Sequence, residues 1–146
     1  MSKTTQRVKR YLPLVVWITV ISIASTSEFS GANTSRIIRP LVLWLFPETS
    51  EATLQTIHFV VRKLAHFTEY AILGFLAARA FSTSSLRTLK RRWFPIALFL
   101  IVIYALLDEY HQSFVPSRTA SIYDSMIDSI GGVAGLLIYA RRRKEP

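Results

Sequence analysis

Four stretches of the chain stay apolar long enough to form helices of membrane length, and polar clusters separate them. The first is YLPLVVWITVISIA (11–24), the third is WFPIALFLIVIYALL (93–107), and the fourth runs from Ile122 into SIGGVAGLLIYA. The second, Leu54 to Phe81, is as long but contains RKLAHFTEY (62–70), which places Arg62, Lys63, His66 and Glu69 close together. Each falls near the roughly 20 residues that cross a hydrocarbon core, the first and last with help from flanking polar residues. The pattern predicts helices at about 11–27, 54–81, 93–114 and 120–140. The expected fold is all-α: one domain, an integral membrane four-helix bundle. Between the first two helices, IIRPLVLWLFP is too short to span and is interrupted by Pro40. It is expected to be an interfacial or re-entrant segment, with Trp44 at headgroup depth.

The polar residues inside these helices are periodic. Arg62, His66 and Glu69 recur at i, i+4, i+7 and share a face. At about 1.5 Å of rise per residue, Arg62 lies about 12 Å below an outer end at Leu54, and His66 and Glu69 about 18–22 Å below it. On the third helix Asp108 and Gln112 are four apart, His111 is three from Asp108, and Glu109 points about 100° away. On the fourth, Asp124, Asp128, Gly131 and Gly135 recur at i, i+4, i+7, i+11, and the glycine pair reads GxxxG, a spacing that lets two backbones approach closely. An ionised side chain in lipid costs between about 2.5 and 17 kcal/mol, so such residues face the bundle interior and pair. The three stripes are expected to converge in a buried polar cluster that opens outward.

Composition sharpens this picture. A chain of 146 residues suits one domain, and 51% hydrophobic content with a mean hydropathy of +0.32 agrees with a membrane protein. The net charge of +9 is concentrated: thirteen of eighteen basic residues lie before the first helix, between Arg79 and Arg92, or in the closing RRRK. An even number of spans puts both termini on one side, and the excess of Lys and Arg makes that side cytoplasmic. The basicity therefore reads as topology, and nucleic acid is not expected as a partner. Lys3, Arg7, Lys9 and Arg10 ahead of an apolar run also fit a cleaved signal peptide, although the later spans make a retained anchor sufficient. No cysteine is present, which excludes a disulfide framework or a thiolate metal site.

Three readings of the cluster follow. In an enzymatic one, Arg62, Lys63 and Arg118 hold a phosphate, His66 is nucleophile or general acid, and Glu69, Asp108 or Glu109 supports the imidazole. A divalent metal is the cofactor such a site would take, from His66, Glu69, Asp108, Glu109, His111 and Asp124 as ligands. In a binding reading, Arg62, Lys63, Gln112, Arg118, Asp124 and Asp128 recognise the headgroup of a membrane lipid or another amphiphile. In a structural reading, Arg62, Lys63, Glu69 and Asp108 neutralise one another and fix helix register, while Asp124 caps its helix. Trp17, Trp44 and Trp93 read as core or interfacial aromatics, His58 as an interfacial surface residue, and Tyr104 and Tyr123 as hydrogen-bonding reserves for the cluster.

RKLAHFTEYAILGF, DEYHQSFVPSRTASIYD and DSIGGVAG, in this order, resemble the VanZ-like family of bacterial membrane proteins, with SEFSGANTS as a weaker match. The positions that match its pattern are Lys63, His66, Glu69, Tyr70, Asp108, Glu109, Gln112, Phe114, Pro116, Arg118, Asp124 and Gly132. Two depart from it: Ser117 follows Pro116 where the family pattern has glycine, and Asp128 stands where asparagine is frequent, adding a negative charge when ionised. The resemblance implies a multi-pass protein of the bacterial cytoplasmic membrane with a part in teicoplanin resistance or envelope homeostasis.

Overall fold

The computed structural model describes residues 2–26, 31–115 and 121–144. Among them it holds six helices and no strand: α1 (Lys3–Ala24), α2 (Gly31–Leu45), α3 (Glu51–Ser82), α4 (Arg87–Arg91), α5 (Trp93–Gln112) and α6 (Ile122–Lys144). The all-α expectation holds, and four long helices fall on the four apolar stretches. Their limits differ. Helix α1 starts eight residues early, where Ser2 accepts from the Thr5 amide at 3.2 Å, so the basic residues Arg7, Lys9 and Arg10 are helical. Its last turn closes at Ala24, short of the expected end.

The segment between α1 and α3 corrects the sequence reading. It is a regular helix of 15 residues with Pro40 inside it, so the proline does not interrupt it. The helix is roughly 22 Å long, still too short to cross a bilayer. The sequence reading also missed α4, a single turn of RTLKR.

Helix α3 is the hub, packing against α6, α5, α1 and α2. Ser50 caps its start by accepting from the Thr53 amide at 3.2 Å, with Glu51 in the first turn and Arg79 in the last, both favourable for the helix dipole. Its 32 residues reach about 48 Å, well beyond a hydrocarbon core of about 30 Å.

The buried side chains fall into two storeys. Toward the end of α3, Leu73, Ala77 and Ala80 meet Ala97 and Ile101 of α5 and Leu136 of α6 in an apolar core. Alanine and glycine there bring the helices close. A Cβ on Gly74 would overlap the Gly132 carbonyl, one on Gly131 the Phe67 carbonyl, and one on Gly135 the Ala71 carbonyl. The GxxxG expectation is met, with α3 as the partner. The far end is tied by Tyr139 to Ser82 at 2.7 Å and Tyr11 to Ser84 at 2.8 Å.

The second storey, nearer the start of α3, is polar. His66, Asp108, Glu109, Gln112, Asp124 and Asp128 are all buried there. The outside is the reverse: Val15 and Val16 of α1, Leu64 of α3, Phe99 of α5 and Ile130 of α6 are exposed. By length and apolarity α5 alone, among the described residues, qualifies as a candidate membrane span. The charged residues on the other long helices dilute their hydropathy.

Candidate functional site

The buried face of α3 runs through Lys63, His66, Tyr70, Leu73 and Ala77, at i, i+3, i+7, i+10 and i+14. It is one step round the helix from the stripe expected from the sequence. His66 and Tyr70 are buried on it, while Arg62 and Glu69 stand half-exposed at its flanks. Arg62, Glu69 and Asp128 nevertheless all lie within electrostatic reach of the imidazole.

Opposite, α6 presents Asp124 and Asp128 one turn apart. Asp124 pairs with Lys63, whose side chain is 20% exposed against 7% for the carboxylate. The Lys63 ammonium also sits 5.1 Å from the centre of the Phe59 ring. Asp124 lies in the first turn of α6 but is committed to Lys63 rather than to a cap. One turn deeper, His66 Nδ1 lies 3.3 Å from Asp128 Oδ1. Both Asp128 oxygens are sealed from solvent: Oδ1 meets His66 alone, and Oδ2 has no partner among the described residues. The imidazole therefore stands beside Asp128 rather than against Asp108.

From α5, Asp108 and Gln112 enter the same interior, and Glu109 joins them. Asp108 Oδ2 accepts from Gln112 Nε2 at 2.9 Å, and Asp108 Oδ1 accepts from Ser25 Oγ at 2.5 Å. Glu109 Oε2 accepts from the Ser121 amide at 2.8 Å, tying the end of α5 to the start of α6. Its other oxygen makes no hydrogen bond among the described residues, and the Tyr70 hydroxyl lies within reach of Asp108 and Asp128.

Several residues fall elsewhere. His111 is exposed. Tyr104 donates to the Ile18 carbonyl at 3.0 Å and meets Ser22 at 2.8 Å, so it secures α1 instead of feeding the cluster. Tyr123 is 72% exposed. Arg118, with Pro116 and Ser117, lies outside the described residues. Among the described residues no three of the His, Asp and Glu side chains converge closely enough to hold a metal ion.

Two participants escaped the sequence reading. Ser25 closes α1 and reaches Asp108; among Ser22, Thr26 and Ser27 nothing in the sequence sets it apart from a helix cap. Trp17 donates from Nε1 to the Glu69 carbonyl at 2.9 Å, so α1 is latched to α3 beside the cluster.

The net arrangement is four buried carboxylates, Asp108, Glu109, Asp124 and Asp128, facing one ammonium and one imidazole. Exposure falls from Lys63 at 20% through His66 at 10% to Asp128 at 0%, so the cluster is most open on the side of Lys63. Chemically it can accept hydrogen bonds from a cationic or hydroxyl-rich group.

A family model described as VanZ/LLP1 matches residues 10–143. No curated protein and no solved structure matches the chain.

Proposed function

The chain belongs to the VanZ-like family, and from that membership we propose that it is a membrane-embedded binding protein whose polar interior receives the headgroup of an amphiphile. In this reading α1, α3, α5 and α6 cross the bacterial cytoplasmic membrane, α2 lies along its outer surface, and both termini are cytoplasmic. The distribution of side chains supports the setting. Polar groups are inside and large apolar ones outside, the arrangement that lipid favours and water does not. The basic clusters at both chain ends and around α4 support the orientation.

One observation supports the binding reading: the Asp128 carboxylate is wholly buried, its Oδ1 meets only His66, and its Oδ2 has no partner among the described residues. Buried carboxylates are normally satisfied, because an unmade hydrogen bond to such a group costs about 1–3 kcal/mol or more. A group left open at that cost, next to a second open oxygen on Glu109, suits a ligand that donates hydrogen bonds. Four carboxylates against two basic groups favour an amine- or hydroxyl-bearing headgroup over a bare phosphate. A lipid-linked cell-wall intermediate or an amphiphilic antibiotic of that chemistry fits, and a contribution to teicoplanin resistance or envelope homeostasis belongs to the same proposal.

A second reading rests on the His66 and Asp128 contact at 3.3 Å. An imidazole held by a carboxylate is the arrangement of a general base, so a lipid-phosphate or lipid-linked substrate could be turned over with His66 as proton carrier.

Native mass spectrometry of the protein purified from bacterial membranes tests the first reading, with Asp128→Asn and His66→Ala beside the wild type. An amphiphile retained by the wild type and lost by Asp128→Asn is the expected result. No specific adduct, together with a marked loss of thermal stability in both variants, would reduce the cluster to a structural device. An adduct that the wild type converts and His66→Ala accumulates would move the reading to catalysis.

A further inference from the structure

A second pocket lies well away from the Asp128 cluster, between α2 and the first two turns of α3. It encloses about 290 Å³, at the lower end of small-ligand sites, and is lined by Ile38 and Arg39 from α2 and by Glu51, Leu54, Gln55 and His58 from α3. His58, read from the sequence as an interfacial surface residue, is partly exposed, but its Nε2 is sealed from solvent with no hydrogen-bond partner among the described residues. At the mouth, Arg39 and Glu51 form a two-pronged pair: Arg39 Nη1 donates to Glu51 Oε2 at 3.1 Å, and Nη2 bonds Oε1. Both side chains are more than half exposed, 55% and 63%.

From this geometry we infer that the pocket between α2 and α3 is a binding site for a zwitterionic headgroup, an ammonium joined to a phosphate as in phosphoethanolamine. The charge balance selects that class. A bare anion would meet Arg39 but also the Glu51 carboxylate, and a bare cation the reverse. A zwitterion exchanges the internal pair for two, with phosphate on Arg39 and ammonium on Glu51. The buried nitrogen of His58 then gains a polar partner in either tautomer. A primary ammonium also donates hydrogen bonds, which a quaternary one cannot.

Phe59, next to His58 on α3, is 60% exposed, and the opposite face of α2 carries Ile37, Leu41 and Trp44, 72%, 55% and 77% exposed, an apolar surface that suits a helix lying at the membrane interface. The inference rests on the membrane reading above for its setting, but not on the Asp128 cluster, so the two can fail separately.

Full-length protein is reconstituted in nanodiscs of equal phosphatidylethanolamine and phosphatidylglycerol, and the lipid that stays bound after transfer to detergent is counted by native mass spectrometry. The wild type is expected to retain phosphatidylethanolamine preferentially. Glu51→Gln should shift the ratio toward phosphatidylglycerol by about threefold or more, the scale of an exposed ion pair. His58→Ala should lower retention of both lipids, and Thr88→Ala on the exposed α4 turn should leave the ratio unchanged. If Glu51→Gln melts well below the wild type, the doubly neutral variant Arg39→Gln with Glu51→Gln replaces it and should show no preference. Equal retention by the wild type would overturn the inference. So would a preference that survives the Glu51 variants, or one abolished by Asp128→Asn alone.

Discussion

Replacing Asp128 by asparagine separates a carboxylate kept for stability from one kept for binding. The side chain is fully buried, and among the described residues its basic partner is His66, with Nδ1 3.3 Å from Oδ1. Removing one member of a buried ion pair usually costs about 3–5 kcal/mol, because the other charge is left uncompensated. Here the remaining member is an imidazole, which can shed its proton and leave no charge behind. What disappears is the expense of holding a desolvated carboxylate among three others, and replacing buried ionic groups by neutral ones of similar volume commonly gains about 1–4 kcal/mol. Asp128→Asn should therefore be as stable as the wild type or more stable, by up to about 3 kcal/mol, while losing its bound amphiphile. Thermal unfolding in detergent reads the first as a Tm rise on the order of 2–4 °C per kcal/mol, and native mass spectrometry reads the second. A fall of about 3 kcal/mol or more would refute the reasoning and make the His66 and Asp128 contact a structural pair.

Lys63→Met should destabilise the fold by about 3 kcal/mol, since it strands the buried Asp124 carboxylate; restoration on adding Asp124→Leu would identify the stranded charge as the cause. Gly135→Ala, whose Cβ would overlap the Ala71 backbone, should cost more in thermal unfolding than Gly132→Ala, whose Cβ meets the movable Ile101 side chain; an overpacked site typically loses about 1–3 kcal/mol, and the opposite order would contradict the α3 and α6 packing. Ser25→Ala removes a donor from the buried Asp108 and should lower stability by about 1.5–3 kcal/mol, measured by the same melts. For topology, a cysteine at the exposed Glu48 should react with an impermeant reagent in whole cells and one at the exposed Thr88 only after lysis; the reverse pattern would invert the orientation.

Hydrophobic periodicity alone determined the all-α class, the four long helices and the small-residue face of α6, because these depend on what lies three, four or seven places away along one chain. GxxxG was legible for the same reason, although that α3 is its partner was not. The membership of the cluster was legible in part. His66, Asp108, Gln112, Asp124 and Asp128 could be placed inside because an ionisable residue on an apolar helix has little alternative. The tertiary structure decided the pairing. Two stripes on α3 one step apart look equivalent in sequence, and only its packing against α5 and α6 turned Lys63, His66 and Tyr70 inward and left Arg62 and Glu69 at the edge. It decided that Asp124 binds Lys63, that His66 faces Asp128, and that Ser25 at the end of α1 reaches Asp108, contacts between residues more than sixty places apart. The pocket of His58 likewise exists only once α2 lies over α3. Helical pattern is a local property of the chain, whereas which polar groups end within 3 Å of one another depends on how the helices tilt and rotate to close their shared interior.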